Sequence, residues 1–339
     1  MLRLSVLDQS TAARGQPADQ AIRDTVALAR LCEDLGYHRF WVSEHHDHPS
    51  IVGSAPEILM AAIAQATRRI RIGSAGVMLP HYAPLKVAEQ FRVLEALAPG
   101  RIDLGLGRAP GSDGRTALAL NPDAAADAEH FPANVRDLMA WVDGRDLIEG
   151  HPFRGIEAQP MFEGSPEIWM LGTSDYGAQV AAHFGIPYCF AHFITDGRGT
   201  ERALALYRQA YQPSERFPEP IAAVCLWALA AETEAEAEYL FATRAHARLM
   251  RDVGMRGPLE DPEVLATHPY SEAERAHLAR LRENALIGTG GQVMAKIAAL
   301  AAAWNIDEVA VLTWTYRQAD RRRSYELLAE AAGLTAARP

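Results

Sequence analysis

The chain has 339 residues, of which 49% are hydrophobic, and its 43 Asp and Glu outnumber its 33 Lys and Arg to give a formal net charge of −10. This acidic balance disfavours nucleic acid as a partner, because the phosphates would be repelled. No apolar run approaches the roughly 20 residues that a membrane span needs, and the segment after Met1 is too short and too lightly charged for a signal peptide. Cys32, Cys189 and Cys225 form no C-x-x-C pair, which argues against a zinc site or a disulfide framework. We therefore expect a cytoplasmic protein without a nucleic-acid or membrane partner.

Short apolar and β-branched runs alternate with helical patterns along the whole chain. Strands are predicted, in order, at residues 4–7, 39–43, 70–79, 101–107, 168–171, 187–191, 221–230 and 308–315. Helices are predicted between and after them, at about residues 20–35, 56–67, 84–97, 128–144, 178–184, 200–210, 234–250, 292–304 and 324–332. Residues 151–160 are expected to form a small inserted hairpin, and the basic run 321–323 is expected to be the solvated first turn of the last helix.

Strands that are each followed by a helix predict an all-parallel sheet with right-handed crossovers. A single (β/α)8 barrel spanning residues 1–339 fits better than a doubly wound sheet, because no G-x-G-x-x-G opens the first helix. The charged, proline-containing segment 251–287 is long for a barrel connection and predicts a mobile insertion or lid. In such barrels the chemistry lies at the carboxyl ends of the strands, which selects the residues considered next.

The predicted strand at 39–43 ends in a dense polar cluster, Glu44-His45-His46-Asp47-His48. A metal site is one interpretation, because His46 and His48 have i, i+2 spacing, although no second ligand cluster completes it. A polar strand end satisfied by hydrogen bonds is another. The third is a catalytic histidine whose pKa lies near neutral pH, so that it can move protons.

Three further strand ends carry small or anion-binding residues. The small residues of run 73–80 would either let a flat ligand approach the backbone or pack tightly inside the barrel. Arg108, in the glycine-rich run 105–113, fits an anion site or a surface salt bridge. Residues 172–177 precede a predicted helix, where backbone N–H groups bind phosphate or where Ser174 or Asp175 makes an ordinary N-cap.

Four stretches, through their order and spacing, carry a family resemblance: Glu44-His45-His46, run 73–80, run 98–108 and run 307–309 with 313–315. In these stretches, and over nearly its whole length, the chain resembles the luciferase-like flavin-dependent monooxygenases. The resemblance implies a TIM barrel that uses reduced FMN and O2 to oxygenate a small organic substrate.

The resemblance also implies roles for individual residues. His45 matches the family's catalytic histidine, with Glu44 or Asp113 as the group that orients the reaction, and Ala75 and Gly76 match a non-proline cis peptide beneath the flavin. The cofactor-binding residues that it implies are Ala75, Gly76, Met78, Gly107, Arg108, Gly172, Thr173, Ser174 and Gly177. Among these, Arg108, Thr173 and Ser174 would hold the FMN phosphate.

The implied partners are a separate NAD(P)H-dependent flavin reductase that supplies FMNH2, and a second copy of the chain bound through the helices predicted at 56–67 and 84–97. Light-emitting members carry a reactive cysteine where this chain has Gly107, so light emission is not expected. Three alternatives stay open: a deazaflavin-dependent hydride-transfer enzyme, a non-catalytic flavin-binding protein, and a metal-dependent hydrolase using His45, His46 and His48.

Overall fold

A closed ring of parallel strands forms the centre of the computed structural model, which describes residues 2–109 and 111–335. The strands are β1 (Arg3–Asp8), β2 (Arg39–Val42), β3 (Arg71–Ser74), β4 (Val77–Met78), β5 (Ile102–Gly107), β6 (Glu167–Gly172), β7 (Tyr188–Ala191), β8 (Ala222–Ala231), β9 (Leu286–Thr289) and β10 (Glu308–Leu312). The ring runs β10-β1-β2-β3-β5-β6-β7-β8, and the pairing of β8 with β10 closes it. β4 follows β3 against β5, and β9 pairs with the carboxyl end of β8. The predicted (β/α)8 TIM barrel is confirmed.

Helices surround this ring. They are α1 (Ala18–Leu35), α2 (Pro56–Ala66), α3 (Pro84–Leu97), α4 (Gly114–Leu120), α5 (Ala124–Glu129), α6 (Phe131–Val142), α7 (Asp175–Phe184), α8 (His192–Thr195), α9 (Thr200–Ala210), α10 (Glu234–Asp252), α11 (Pro262–Ala266), α12 (Glu272–Glu283), α13 (Gly290–Trp304) and α14 (Gln318–Ala332), with a 3₁₀ turn at Leu79–His81. α1 stops at Gly36, whose φ of 89° is a left-handed conformation that favours glycine. Within the described part of the chain, no helix is both long and apolar enough to cross a membrane.

Charged side chains fill the amino-terminal end of the barrel interior. The buried Arg39 of β2 places Nη1 3.0 Å from Asp103 and 2.9 Å from Glu167. Its Nε lies 2.9 Å from Glu308, and its guanidinium centre lies 4.7 Å from the ring centroid of Trp169. Burial opposes the charge of Arg39, but the three carboxylates outweigh it and raise the pKa of the guanidinium. These paired charges close this end of the barrel, which leaves the carboxyl end for a ligand.

Several element predictions were wrong in detail. Run 70–79 forms two strands, β3 and β4, with a break at Ala75–Gly76, and the helix predicted at 128–144 begins only at Phe131. Residues 151–160 contain no strand, so the expected hairpin does not form. Segment 251–287, which was expected to be an irregular insertion with one helix, contains α11 and α12 and contributes the first residues of β9.

The expected solvated basic turn is also wrong, at Arg321. Because α14 begins at Gln318, six residues earlier than predicted, Arg321 falls on its inner face and is fully buried. It pairs with Asp8 at the end of β1, and this carboxylate also accepts a hydrogen bond from Thr25. Burial opposes the charge, but Asp8 outweighs it and raises the pKa of Arg321. Arg321 therefore fastens α14 to the barrel.

Candidate active site

A cavity of about 810 Å³ opens at the carboxyl end of the barrel. Most of the residues predicted from the sequence line it: His45, Ala75, Gly76, Met78, Gly107, Arg108, Gly172, Thr173, Ser174 and Gly177. Apolar strand residues also line it, among them Leu7, Trp41, Met170, Leu171, Cys189 and Cys225. Glu44 and Asp113 are the two predicted residues that are not among its lining residues.

Glu44 is buried and holds neighbouring chain segments in place. Its carboxylate accepts hydrogen bonds from the backbone N–H of Met78 at 2.9 Å and from the Tyr82 hydroxyl at 2.6 Å. Its other close contact is His46 Nε2, at 2.8 Å. Burial and the nearby Glu44 raise the pKa of Tyr82, which keeps that hydroxyl a donor. Glu44 is therefore placed as a positioning residue for β4 and His46, and this placement does not support the predicted role of orienting the reacting groups.

His45 is half-buried in the cavity wall. Its backbone N–H donates to the carbonyl of Gly53 at 2.9 Å, and its Nδ1 lies 3.2 Å from Ser43 Oγ. Burial, together with His48, His46 and Arg256, lowers the pKa of His45 to about 4. The imidazole is therefore neutral at pH 7. This differs from the expected titration near neutrality, because a buried imidazole loses the hydration that favours its charged form.

The three histidines of this segment serve different local structures. His48 accepts through Nδ1 from the backbone N–H groups of Ser50 and Ile51, at 3.3 Å and 3.1 Å, so the neutral ring carries its proton on Nε2. His46 turns to Glu44, whereas His45 faces the cavity. Across residues 2–109 and 111–335, no group of three or more His, Cys, Asp or Glu is arranged to hold a metal ion.

The Ala75–Gly76 peptide between β3 and β4 is cis, as the resemblance implied, and both residues line the cavity. A Cβ added to Gly76 would lie 2.8 Å from the carbonyl oxygen of Gly105 and 2.8 Å from Leu171 Cδ1. A Cβ added to Gly105 would lie 2.0 Å from the carbonyl oxygen of Ser74. The small residues therefore serve tight packing of β3 and β4 against β5, and they also bring bare backbone to the cavity wall.

Arg108, directly after β5, is exposed at the rim of the cavity. Its guanidinium centre lies 4.0 Å from the ring centroid of Tyr176, in a cation–π contact. No carboxylate of the described residues forms an ion pair with it, so the surface salt bridge considered from the sequence is not present there.

The amino terminus of α7 lies beside Arg108, since Tyr176 belongs to its first turn. Ser174 is the N-cap residue, yet its side chain makes no capping hydrogen bond. Asp175 pairs with Arg202 and does not cap the helix. The ordinary N-cap considered from the sequence is therefore absent at this helix start, where unpaired backbone N–H groups and the helix dipole favour an anion.

Asp113 lies outside the cavity lining. It is the N-cap of α4, and its Oδ1 accepts from the backbone N–H groups of Thr116 at 3.0 Å and Arg115 at 2.9 Å. Hydrogen bonds from Thr116, followed by that from Arg115, lower the pKa of Asp113. Its position gives the predicted catalytic role no support and accounts for the residue as a helix cap.

Comparison with known proteins identifies the family to which the chain belongs. The family model described as "Luciferase-like monooxygenase" matches residues 2–307. The chain belongs to this family. A Bacillus subtilis relative, the uncharacterized protein YwcH, is 44% identical over 335 residues, which covers 98% of this chain and 99% of that protein. The N-acetyl-S-alkylcysteine monooxygenase of Bacillus subtilis is 34% identical over 335 residues, which covers 98% of each chain.

Solved structures agree with this assignment. The crystal structure of apo-MsnO8 matches with a TM-score of 0.90 and 35% identity, covering 99% of each chain. The oxygenating constituent of a 3,6-diketocamphane monooxygenase from Pseudomonas putida, in complex with FMN, matches with a TM-score of 0.72 and 20% identity over 99% of each chain. An F420-dependent secondary alcohol dehydrogenase matches with a TM-score of 0.69 and 15% identity, over 97% of this chain and 98% of its own. At these lower identities the likeness shows the fold alone.

This luciferase-like monooxygenase has cavity residues that the strand-end rule misses. Arg244 on α10 is the main one, and the sequence holds a signal for it: Ala237, Leu240, Arg244 and Arg248 are buried at helical spacing. Segment 251–287 also contributes to the cavity lining. Its lining residues include Met255, Arg256, Gly257, Pro258, Glu260 and His268. The segment is thus placed over the site, and its motion as a lid stays a prediction.

Proposed function

We propose that this luciferase-like monooxygenase uses reduced FMN and O2 to oxygenate a small organic substrate. The observation that carries a phosphate-bearing flavin is the position of Arg108 beside the uncapped amino terminus of α7 at the rim of the barrel cavity, and the choice of FMN among such flavins follows the monooxygenase family. A guanidinium without a carboxylate partner, next to free helix amides, is a donor set that fits a phosphate group. Arg108, Thr173 and Ser174 would hold that phosphate, with the cofactor-binding Gly177 in the first turn of α7.

The remaining predicted residues fit the flavin ring. Ala75, Gly76, Met78, Gly107 and Gly172 offer a surface of small side chains and backbone along the cavity wall. When bound, reduced FMN supplies the electrons that activate O2. His45 lies at the same wall with Nδ1 facing Ser43, so its Nε2 is the atom that would hold or move a proton for the reacting groups.

The protein's surroundings follow from the same proposal. FMNH2 would come from a separate NAD(P)H-dependent flavin reductase in the cytoplasm, and the protein would act as a homodimer. Residues 251–287 would close over the cavity and exclude water during the reaction.

Anaerobic titration of the protein with FMNH2, FMN and reduced F420 tests the cofactor. We expect tight binding of FMNH2, weakened about 10- to 100-fold in Arg108→Ala, because hydrogen bonds to a charged group are each worth about 1.5–3 kcal/mol. Arg115→Ala is the matched control: Arg115 is exposed on the neighbouring α4 and does not line the cavity. After ¹⁸O2 is admitted, a substrate screen by mass spectrometry should find a product that carries one labelled oxygen.

Two results would contradict the proposal. Preference for F420 over FMNH2 would assign the site to deazaflavin-dependent hydride transfer. FMN binding that is equally tight in Arg108→Ala would remove the observation on which the choice of cofactor rests.

A further inference from the structure

A second cationic group faces the cavity, away from Arg108. Arg244 of α10 lines the cavity with only 9% of its surface exposed. α10 follows β8, while Trp314 and Gln9, which line the same region, follow β10 and β1. Arg108 and α7 instead follow β5 and β6, on the other side of the ring. The two guanidinium groups therefore lie at different parts of the cavity wall.

Arg244 has no charge partner among the described residues, in contrast to its neighbours on α10. Arg248 is held by Asp196 at 2.9 Å and by Asp252 at 3.3 Å, and Arg251 lies 3.2 Å from Asp252. Arg244 makes no ion pair or hydrogen bond within the described residues, and its Nε is buried without a partner.

Two tryptophan rings lie beside this guanidinium. The centre of Arg244 lies 5.1 Å from the ring centroid of Trp314 and 5.5 Å from that of Trp227. Trp314 is itself held, since its Nε1 donates to Gln9 Oε1 at 3.1 Å. Aromatic rings stabilise a cation through its faces and leave the N–H edge to bind another group.

The positive charge of Arg244 is energetically unfavourable in its buried position without a partner. Burial, and then the nearby Arg248 and Arg251, lower the pKa of Arg244 to about 9. A buried charge normally has a hydrogen-bonded partner of opposite sign, because desolvation otherwise penalises it by several kcal/mol. The planar N–H fork of arginine matches the two oxygens of a carboxylate.

We propose that the substrate is a small organic acid, whose carboxylate binds Arg244 beside Trp314 and whose apolar part lies over the strand ends at Leu7, Trp41 and Cys225. The reaction on this acid rests on the proposed monooxygenase function, whereas its binding does not. The substrate name of the relative at 34% identity, an N-acetyl-S-alkylcysteine, describes an acid of this class.

Calorimetric binding of hexanoate and its neutral isostere hexanamide to the full chain, at pH 7.5, tests the assignment. We expect the parent protein to bind hexanoate at least about tenfold more tightly than hexanamide. Arg244→Gln should remove this preference while leaving hexanamide affinity unchanged, and Arg244→Lys should keep part of it. Arg251→Gln is the matched control, because it removes one positive charge from the same helix at a residue already paired with Asp252.

A parent that binds hexanoate no better than hexanamide, or not at all, would overturn the inference, as would a preference that survives in Arg244→Gln. FMN titration of the same variants separates this result from the proposed function. Arg244→Gln should keep the FMN affinity of the parent, whereas a parent protein that prefers hexanoate to hexanamide but binds neither FMNH2 nor FMN would count against the cofactor alone.

Discussion

The half-buried imidazole of His45 couples folding stability to pH. Its pKa is lowered from 6.5 to about 4 in the folded protein, so at intermediate pH the unfolded chain binds more protons. The stability that His45 contributes is complete above about pH 6.5 and is lost as pH falls towards 4. We therefore expect urea unfolding to show a smaller loss of stability between pH 7.5 and pH 5 in His45→Gln than in the parent. Parallel pH profiles for the two proteins would show that His45 is not held neutral.

Single residues differ in how well the sequence predicts their roles. The positions of Arg108 and His45 at the cavity were predictable, because both residues lie just beyond the carboxyl end of a strand, where barrels bind ligands, while their roles stay predictions. The orientation of the Glu44 side chain was not predictable, because its hydrogen-bond partners Met78 and Tyr82 are 34 and 38 residues away along the chain. Arg244 lies on a helix rather than at a strand end, so only the spacing of the buried face of α10 indicated it.

At the scale of elements, β3 and β5 approach each other so closely at Gly105 that no side chain fits there. A Cβ on Gly105 would lie 2.0 Å from the carbonyl oxygen of Ser74, where Ser74 Oγ also donates to the Gly105 carbonyl at 2.9 Å. We expect Gly105→Ala to lower the free energy of unfolding by about 3 kcal/mol, since the backbone must shift to admit the methyl group.

Gly114→Ala is the control for that measurement, because nothing lies within 4 Å of an added Cβ at the start of α4. Urea unfolding of the three proteins compares them directly. A stability of Gly105→Ala within about 0.5 kcal/mol of the control would mean that the strands separate without cost.

Element boundaries followed the sequence where local signals set them and departed where packing did. α9 was predicted with its observed bounds, Thr200–Ala210, and Gly36 ends α1 as expected. Run 70–79 reads as one continuous strand in the sequence, because the break at Ala75–Gly76 depends on contacts with β5 and Leu171. The buried position of Arg321 on α14 likewise involves a partner at the far end of the chain, Asp8, which the local sequence does not indicate.

At the scale of the whole molecule, the alternation of strands and helices was sufficient to predict the barrel. Closure itself is a long-range event, in which β10 pairs with both β1 and β8. The strands were predictable from the sequence, but the pairing of β10 with β1 and β8 was not. The homodimer is a separate prediction, and the exposed side chains of the single chain are the observation that bears on it.

The surface of α2 and α3 carries apolar side chains that a second copy would cover. Ile58 of α2 is 69% exposed, and Val93 and Leu97 of α3 are 47% and 48% exposed. The two helices are joined by a hydrogen bond from Gln90 to Glu57, and Val93 and Leu97 follow Gln90 at the spacing of one helical face. Exposed apolar side chains on neighbouring helices are typical of a subunit interface.

We expect the double variant Ile58→Glu, Val93→Glu to convert a dimer to a monomer in sedimentation equilibrium, because burying two carboxylates across a two-fold axis repeats each charge in the partner. Leu118→Glu is the control, since Leu118 is 62% exposed on α4 and away from these helices. A parent chain that sediments as a monomer would refute the dimer outright. A double variant that remains dimeric would place the interface on another face of the barrel, and would leave the exposed side chains of α2 and α3 without a partner.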